Sequence, residues 1–247
     1  MTEELIFALT VCAAASFVGA FTQRVSGFGY GIIVMIFFTQ VLSHQESSAL
    51  SGFISLLSAA YVAYTMRKSI NYKIVFLPLL TYTLVNVIAV RFVKDADMRL
   101  LNILLGCALV LLSIYFFFFN GKIKIKAAPT SALTAGAISG AMSGLFAMGG
   151  PPMVVYFLSA SESNDEYLAT IQMFFALSNV ISGVSRALSG FYTTSVLIMI
   201  VPAFLTMLLA NYLGRKVYGK LSPAILKKVV YAFMAVSGVI TVVKAII

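Results

Sequence analysis

Gly140-Ala-Met-Ser-Gly-Leu-Phe-Ala-Met-Gly-Gly-Pro-Pro-Met153 is the stretch whose reading decides the fold. It lies in an apolar region that otherwise reads as helix, and it interrupts that helix twice over. Gly149 and Gly150 free the backbone, while Pro151 and Pro152 have no N–H to give to a helical ladder. Proline is favoured in a first helical turn, so a second helix is expected to start at the break. In lipid, an unpaired peptide group costs several kcal/mol, and broken backbone survives only inside protein or beside a water-filled cavity. A helix N-terminus at that depth offers free N–H groups and a positive dipole end, which suit an anion.

A weaker counterpart occurs early in the chain, Gly19-Ala-Phe-Thr-Gln-Arg-Val-Ser-Gly-Phe-Gly-Tyr-Gly31. The two stretches read as breaks that face each other around one site. Between and beyond them the chain is apolar: 61% of its 247 residues are hydrophobic and 10% charged. Mean hydropathy is +1.00. A soluble domain is nearer half apolar and a quarter charged, so the composition implies an all-α integral membrane protein. The blocks are too long and continuous for outer-membrane strands.

The apolar blocks run at 5–42 (broken near 23–31), 47–66, 74–93, 98–119, 130–160 (broken near 148–152), 167–188, 192–213 and 223–245. A span needs about 20 residues. Each broken block is too long for one straight span and short for two, so a re-entrant hairpin is expected at each. Residues 5–20 are preceded by Glu3 and Glu4 rather than by Lys or Arg, so they are expected to belong to the fold rather than to a signal peptide. Cys12 and Cys107 both lie in apolar helices and imply neither a disulfide framework nor a metal pair.

The chain carries an internal repeat. Gly19 and Gly140, like Gly29 and Gly150, are 121 positions apart; Tyr72 and Tyr192 are 120 apart; Pro78 and Pro202, and Arg91 and Arg215, are 124 apart. Two membrane repeats are expected, 1–121 and 122–247, each a broken hairpin followed by three transmembrane helices. Charge decides how they are related. If every block crosses the membrane, Lys and Arg outside the breaks divide 8 against 8; with re-entrant hairpins the division is 11 against 5. The second arrangement puts the loops at 67–73, 122–126 and 215–228 on one face. The positive-inside rule makes that face cytoplasmic, the repeats inverted and both termini external. The net charge of +9 is dispersed over short loops, which points to topology and anionic lipid and not to nucleic acid.

Arg24 lies within the first break, and a charge at membrane depth is a functional candidate. Its guanidinium could grip an oxyanion through two parallel hydrogen bonds. The alternative is that it neutralises half-helix carbonyls or snorkels. Gln23, Ser26, Gly27, Gly29, Tyr30 and Gly31 surround this break; Ser143, Gly149, Gly150 and Pro151 surround the second. Gln172, Asn179 and Arg186 recur at intervals of seven on one helix face, with Ser182 nearby, and Arg186 counts among the block-end charges. Ser48, Ser51, Ser55 and Ser58 form a similar stripe, whose plain reading is hydrogen bonding between helices. Gly136, Gly140 and Gly144 form a small-residue ladder for close helix packing. His44 reads as a surface residue of a turn. The acids all lie at or near block ends. With no His-Glu-x-x-His and no pair of membrane aspartates, neither catalysis nor a cofactor is expected.

Two halves that each open with a Gly-rich broken helix, with Gly-Leu-Phe-Ala-Met-Gly-Gly-Pro-Pro in the second, resemble the TauE/SafE sulfite-exporter family, also called the 4-toluene sulfonate uptake permease family. The resemblance covers nearly the whole chain. The first break departs from it, reading Ser-Gly-Phe-Gly-Tyr-Gly instead of a run of three glycines. The resemblance implies a transporter in the bacterial cytoplasmic (inner) membrane for sulfite, sulfonates and related sulfur oxyanions, working in the lipid bilayer. It leaves homo-oligomer formation open. Backbone N–H groups near Gly29–Gly31 and Gly150–Pro152, with Arg24, Gln23, Gln172 and Asn179, are expected to bind the anion near midplane. Export is the first reading. Uptake of the same anions, an anion channel and a non-transporting membrane scaffold are the alternatives.

Overall fold

The computed structural model describes residues 3–119, 127–218, 235–243 and 245–246. The basic segment at 122–126 and most of 215–228 and 223–245 lie outside the described residues. Helices α1 (Glu3–Ser26), α2 (Tyr30–Phe38), α3 (His44–Thr65), α4 (Phe76–Asp95) and α5 (Met98–Phe119) make up the first part. Helices α6 (Pro129–Phe146), α7 (Gly150–Ala160), α8 (Asn164–Leu188) and α9 (Thr194–Val217) follow, with a further helical segment at 235–243. No strand occurs among the described residues. Six helical stretches there are long and apolar enough to cross a membrane: α1, Tyr72–Asp95 (which takes in α4), Met98–Tyr115 within α5, α3, α8 and α9.

Side-chain caps fix the starts of α3, α8 and α9, the first two of which hydrophobicity alone placed three residues too late. Ser43 caps α3 by accepting from the Glu46 N–H while the Glu46 carboxylate accepts from the Ser43 N–H, a capping box three residues before the expected block. Ser163 caps α8 by accepting from the Glu166 N–H, and Thr193 caps α9 by accepting from the Val196 N–H. On α4, Phe76, Leu80, Leu84, Ile88 and Phe92 are all exposed. In water this apolar stripe would aggregate; in a bilayer it faces lipid.

The direction of each helix follows from its contacts. Helix α6 runs parallel to α4, and the glycine ladder makes this possible. A Cβ on Gly136 would overlap the Pro78 carbonyl, one on Gly140 would lie 2.6 Å from the Tyr82 carbonyl, and one on Gly144 would overlap Ala89. Helix α1 packs along α9, with Gly214 giving room to the stem of Arg24. Helices α3 and α8 are antiparallel neighbours: Gly52 abuts Arg186, Ser55 bonds Asn179, and Asn71, just beyond α3, bonds Glu166 at the start of α8. The starts of α3 and α9 meet through Thr193 and Glu46. Because α3 and α8 are antiparallel, α2 leads into α3 at one end of the bundle and α7 leads into α8 at the other.

The first break is narrower than expected. Helix α1 continues through Gln23, Arg24 and Ser26, and only residues 27–29 leave the helix. The arms are also unequal, with 24 and 9 residues in the first hairpin and 18 and 11 in the second.

Candidate functional site

At the first break, Gly27 (φ 88°) and Gly29 (φ 109°) take left-handed conformations that side chains resist. The space beside Gly27 is occupied by the Tyr167 hydroxyl, 2.8 Å from where a Cβ would stand. The carbonyls at the end of α1 are held from α8: Tyr167 Oη donates to Ser26 O (3.3 Å) and Gln172 Nε2 to Gly27 O (2.8 Å). Gln23 Nε2 donates in turn to Gln172 Oε1 (2.9 Å), so one amide chain joins α1 to α8. Helix α2 then begins with Tyr30, Gly31 and Ile32, whose N–H groups have no acceptor within their own helix. The Tyr30 phenol is engaged with Ser16 (3.1 Å).

At the second break, Ala147 takes the left-handed position (φ 55°) with its N–H donating to Ser143 O (2.9 Å) as in an αL cap, and Met148 N–H reaches back to Met142 O (3.3 Å). The carbonyls at the end of α6 are held by ionisable residues. Arg186 Nη2 donates to Ser143 O (2.6 Å), and His44 Nε2 lies 2.7 Å from Leu145 O, so this nitrogen carries the proton. Ser139 Oγ donates to Gly149 O (2.6 Å). Helix α7 opens Gly150-Pro151-Pro152, so two of its first-turn positions have no N–H.

The two breaks touch. A Cβ on Gly31 would overlap the Ala147 carbonyl oxygen, and one on Gly150 would lie 3.4 Å from Phe28 Cβ. Between them is a cavity of about 40 Å³. A water needs roughly 10–15 Å³ on the same measure, so about three water-sized groups fit, the size of a small oxyanion. Its polar walls come from Gln23, Ser55, Tyr82, Ser139, Ser143, Ser178 and Asn179, with Gly29–Gly31 and Gly149–Gly150 on the backbone side and Ile32, Met148 and Phe175 closing it. Tyr82 Oη and Ser143 Oγ are 2.7 Å apart, and Asn179 Nδ2 donates to Ser55 Oγ (3.2 Å). Among the described residues, none that lines the cavity is charged.

A family model described as Sulfite exporter TauE/SafE matches residues 12–241. The chain belongs to this family. It is also 23% identical, over 95% of its length and 93% of the relative's, to the "Probable sulfite/organosulfonate exporter TauE" of Cupriavidus necator. No solved structure matches it.

In this TauE/SafE protein, Gln23, Gly29, Tyr30, Gly31, Ser143, Gly149, Gly150 and Asn179 line the cavity. Ser26, Gly27 and Gln172 lie one layer behind and hold the first turn, and Pro151 starts α7 without reaching the lining. Arg24 is not among the lining residues. It is buried against Met66 Sδ (3.6 Å) and the Tyr218 ring (5.8 Å), towards the end of the bundle where α9 ends. The Tyr218 phenol donates to Asp165 (3.2 Å) and is pushed up to about 12 by burial and by that carboxylate, so Arg24 meets a neutral ring.

Two expectations need correction. Arg186, expected as a block-end charge, is wholly buried (0% exposed), because Gly52 on α3 leaves space for its guanidinium and the end of α6 receives it. His44, taken as surface, is 1% exposed, because α3 starts there and docks against the end of α6. Ser139, Ser178 and Tyr82 were not singled out. Ser178 sits beside Asn179 and Ser139 beside the glycine ladder, but Tyr82 had no signal beyond its mid-block position.

Proposed function

We propose that this protein carries small sulfur-containing oxyanions, sulfite or an organosulfonate, out across the bacterial cytoplasmic membrane. The observation that carries this reading is the small cavity between the two breaks, walled by uncharged donors in a chain of the TauE/SafE family. Its relative in Cupriavidus necator carries the same activity in its name. Hydroxyl, amide and backbone N–H donors would replace the anion's water, and the glycines let backbone approach it. An inside-negative potential would drive each negative charge outward with about 2.3 kcal/mol per 100 mV.

The access mechanism follows from the two halves. We read 1–121 and 122–247 as inverted repeats with re-entrant hairpins α1–α2 and α6–α7, and both termini outside. Three features support this. The pairing of α1 with α9 and of α6 with α4 is exchanged by swapping the halves. The equivalent helices α3 and α8 are antiparallel. The hairpins lead into those two helices at opposite ends of the bundle. Rocking one half against the other around the touching breaks would alternate access. Cysteines placed at Lys68 and Arg215 are then expected to react from the cytoplasm alone; labelling from opposite faces would refute the topology.

The test is flux in liposomes under an imposed potential, comparing sulfite, a small sulfonate, thiosulfate, sulfate, acetate and chloride. Saturable, potential-sensitive flux of sulfur oxyanions is expected. Inward accumulation against the potential would replace export with uptake, and unsaturable flux would indicate a channel. Absence of flux from folded protein would refute the reading.

A further inference from the structure

The transport reading leaves Arg186 unused. Its guanidinium has five N–H donors, of which Nη2 is bound to Ser143 O, while Nε and Nη1 find no partner among the described residues. Among the described residues no carboxylate faces it. The titratable side chains within its electrostatic reach are Tyr82, Tyr192 and His44, and Glu46 is turned towards Ser43 and Thr193. A buried cation left this way is strongly unfavourable unless an anion completes it.

Neighbouring hydroxyls are unpaired too. Ser182 Oγ, one turn before Arg186 on α8, faces the Tyr82 hydroxyl without a well-formed hydrogen bond, and Ser51 and Ser47 Oγ on α3 have no hydrogen-bond partner among the described residues; all three are buried at 0–1% exposure. Helical serines commonly return their hydroxyl to the preceding turn, as Ser26 and Ser159 do here. These three do not. Because α3 and α8 are antiparallel, with Ser55 opposite Asn179 and Gly52 opposite Arg186, Ser51 falls opposite the Ser182–Arg186 turn. A Cβ on Gly52 would lie 2.7 Å from Nη1, so the glycine gives the guanidinium its room.

We propose that Arg186, Ser51 and Ser182 form a second anion station in the α3–α8 seam, beside the central cavity, where the transported oxyanion pairs with the guanidinium. The identity of the anion rests on the transport reading; the existence of the station does not. Ser143 links the two sites, its hydroxyl lining the cavity and its carbonyl held by Arg186. Asn179 lines the cavity and lies close to Gly52. The cavity supplies neutral dipoles and the station supplies charge in a planar fork suited to two oxygens of one anion. A purely structural role, capping α6, would use one guanidinium bond and would leave Ser51 and Ser182 unexplained.

The experiment is thermal unfolding of the purified full chain with added sulfite, sulfate or chloride, run beside liposome flux. The variants are Arg186→Lys, Arg186→Gln and the double Ser51→Ala/Ser182→Ala. The parent is expected to be stabilised by sulfite. Arg186→Gln is expected to weaken the apparent affinity by about tenfold to a hundredfold, with Arg186→Lys between. The double serine variant is expected to weaken it several-fold while melting close to the parent without anion, since neither hydroxyl makes a full hydrogen bond among the described residues. Parental affinity in Arg186→Gln, or in the double variant if Arg186→Gln does not fold, overturns the station. So does a parent that no anion stabilises. Stabilisation by sulfate or chloride that Arg186→Gln loses, without sulfite flux in the parent, upholds the station and refutes the transport reading instead.

Discussion

The two breaks each follow a long helix, precede a short one and touch each other, yet they are built from different chemistry. At the first, glycines take both left-handed positions, neutral side chains of α8 hold the carbonyls of α1, and α2 opens with three available N–H groups. At the second, an alanine takes the left-handed position, an arginine and a histidine hold the carbonyls of α6, and α7 opens with two prolines. The first break is thus the donor-rich side of the cavity, and the second carries the nearby positive charge. A helix break on each side of one cavity does not imply that both sides do the same job.

The largest effect is expected where the breaks touch. Gly31→Ala would drive a methyl into the Ala147 carbonyl, which belongs to backbone and has little room to move. Overpacking of this kind costs about 3 kcal/mol, and most flux is expected to be lost with it. Gly150→Ala, on the opposite side, would place its methyl 3.4 Å from Phe28 Cβ, an ordinary contact, and is expected to cost below about 1 kcal/mol. Melting temperature and sulfite flux measured on both variants test the contrast; equal damage would make the breaks interchangeable.

Gln172→Leu is the next in size. It leaves Gly27 O and Gln23 Nε2 without their partner, at a cost of about 2 kcal/mol, and it loosens the first break alone. The expected result is a lower melting temperature and reduced maximal flux, read in the same two assays. Arg24→Gln is expected to do less to substrate. Its guanidinium faces Met66 and Tyr218, so the KM for sulfite is expected to stay within about twofold of the parent, the cost falling on stability through a stacked cation worth about 1 kcal/mol. A large rise in KM would return Arg24 to the binding site.

Much of this was legible in the sequence, for identifiable reasons. Helix-breaking Gly149-Gly150-Pro151-Pro152 and the Gly27-Phe-Gly29 pattern act on local backbone, so the positions of both breaks could be read directly. The ladder Gly136, Gly140, Gly144 announced a close neighbour but could not say that it was α4, because identical ladders fit any backbone. Arg24 and Arg186 were assigned by their depth in the apolar blocks, and depth does not reveal direction. Arg24 turns towards α9, while Arg186 reaches across to α6 through space left by Gly52, a residue 134 positions away. His44 was misplaced because the capping box Ser43–Glu46 starts α3 before its apolar run begins.

The smallest effect tests the strain in the second break. Ala147 stands where the first break uses glycine, and a left-handed alanine costs roughly 1–2 kcal/mol. Ala147→Gly removes that cost but adds about 0.4–1 kcal/mol of chain entropy in the unfolded state. The difference is a stabilisation of about 0.5–1 kcal/mol, a rise of a few degrees or less in melting temperature. Its methyl is not a donor and the Ala147 carbonyl stays against Gly31, so the KM for sulfite is expected to be unchanged. Stabilisation with unchanged kinetics would make the strain incidental. Stabilisation with slower flux would mean that the second break stores strain released as the protein moves, which the first break, with glycine at both left-handed positions, cannot do.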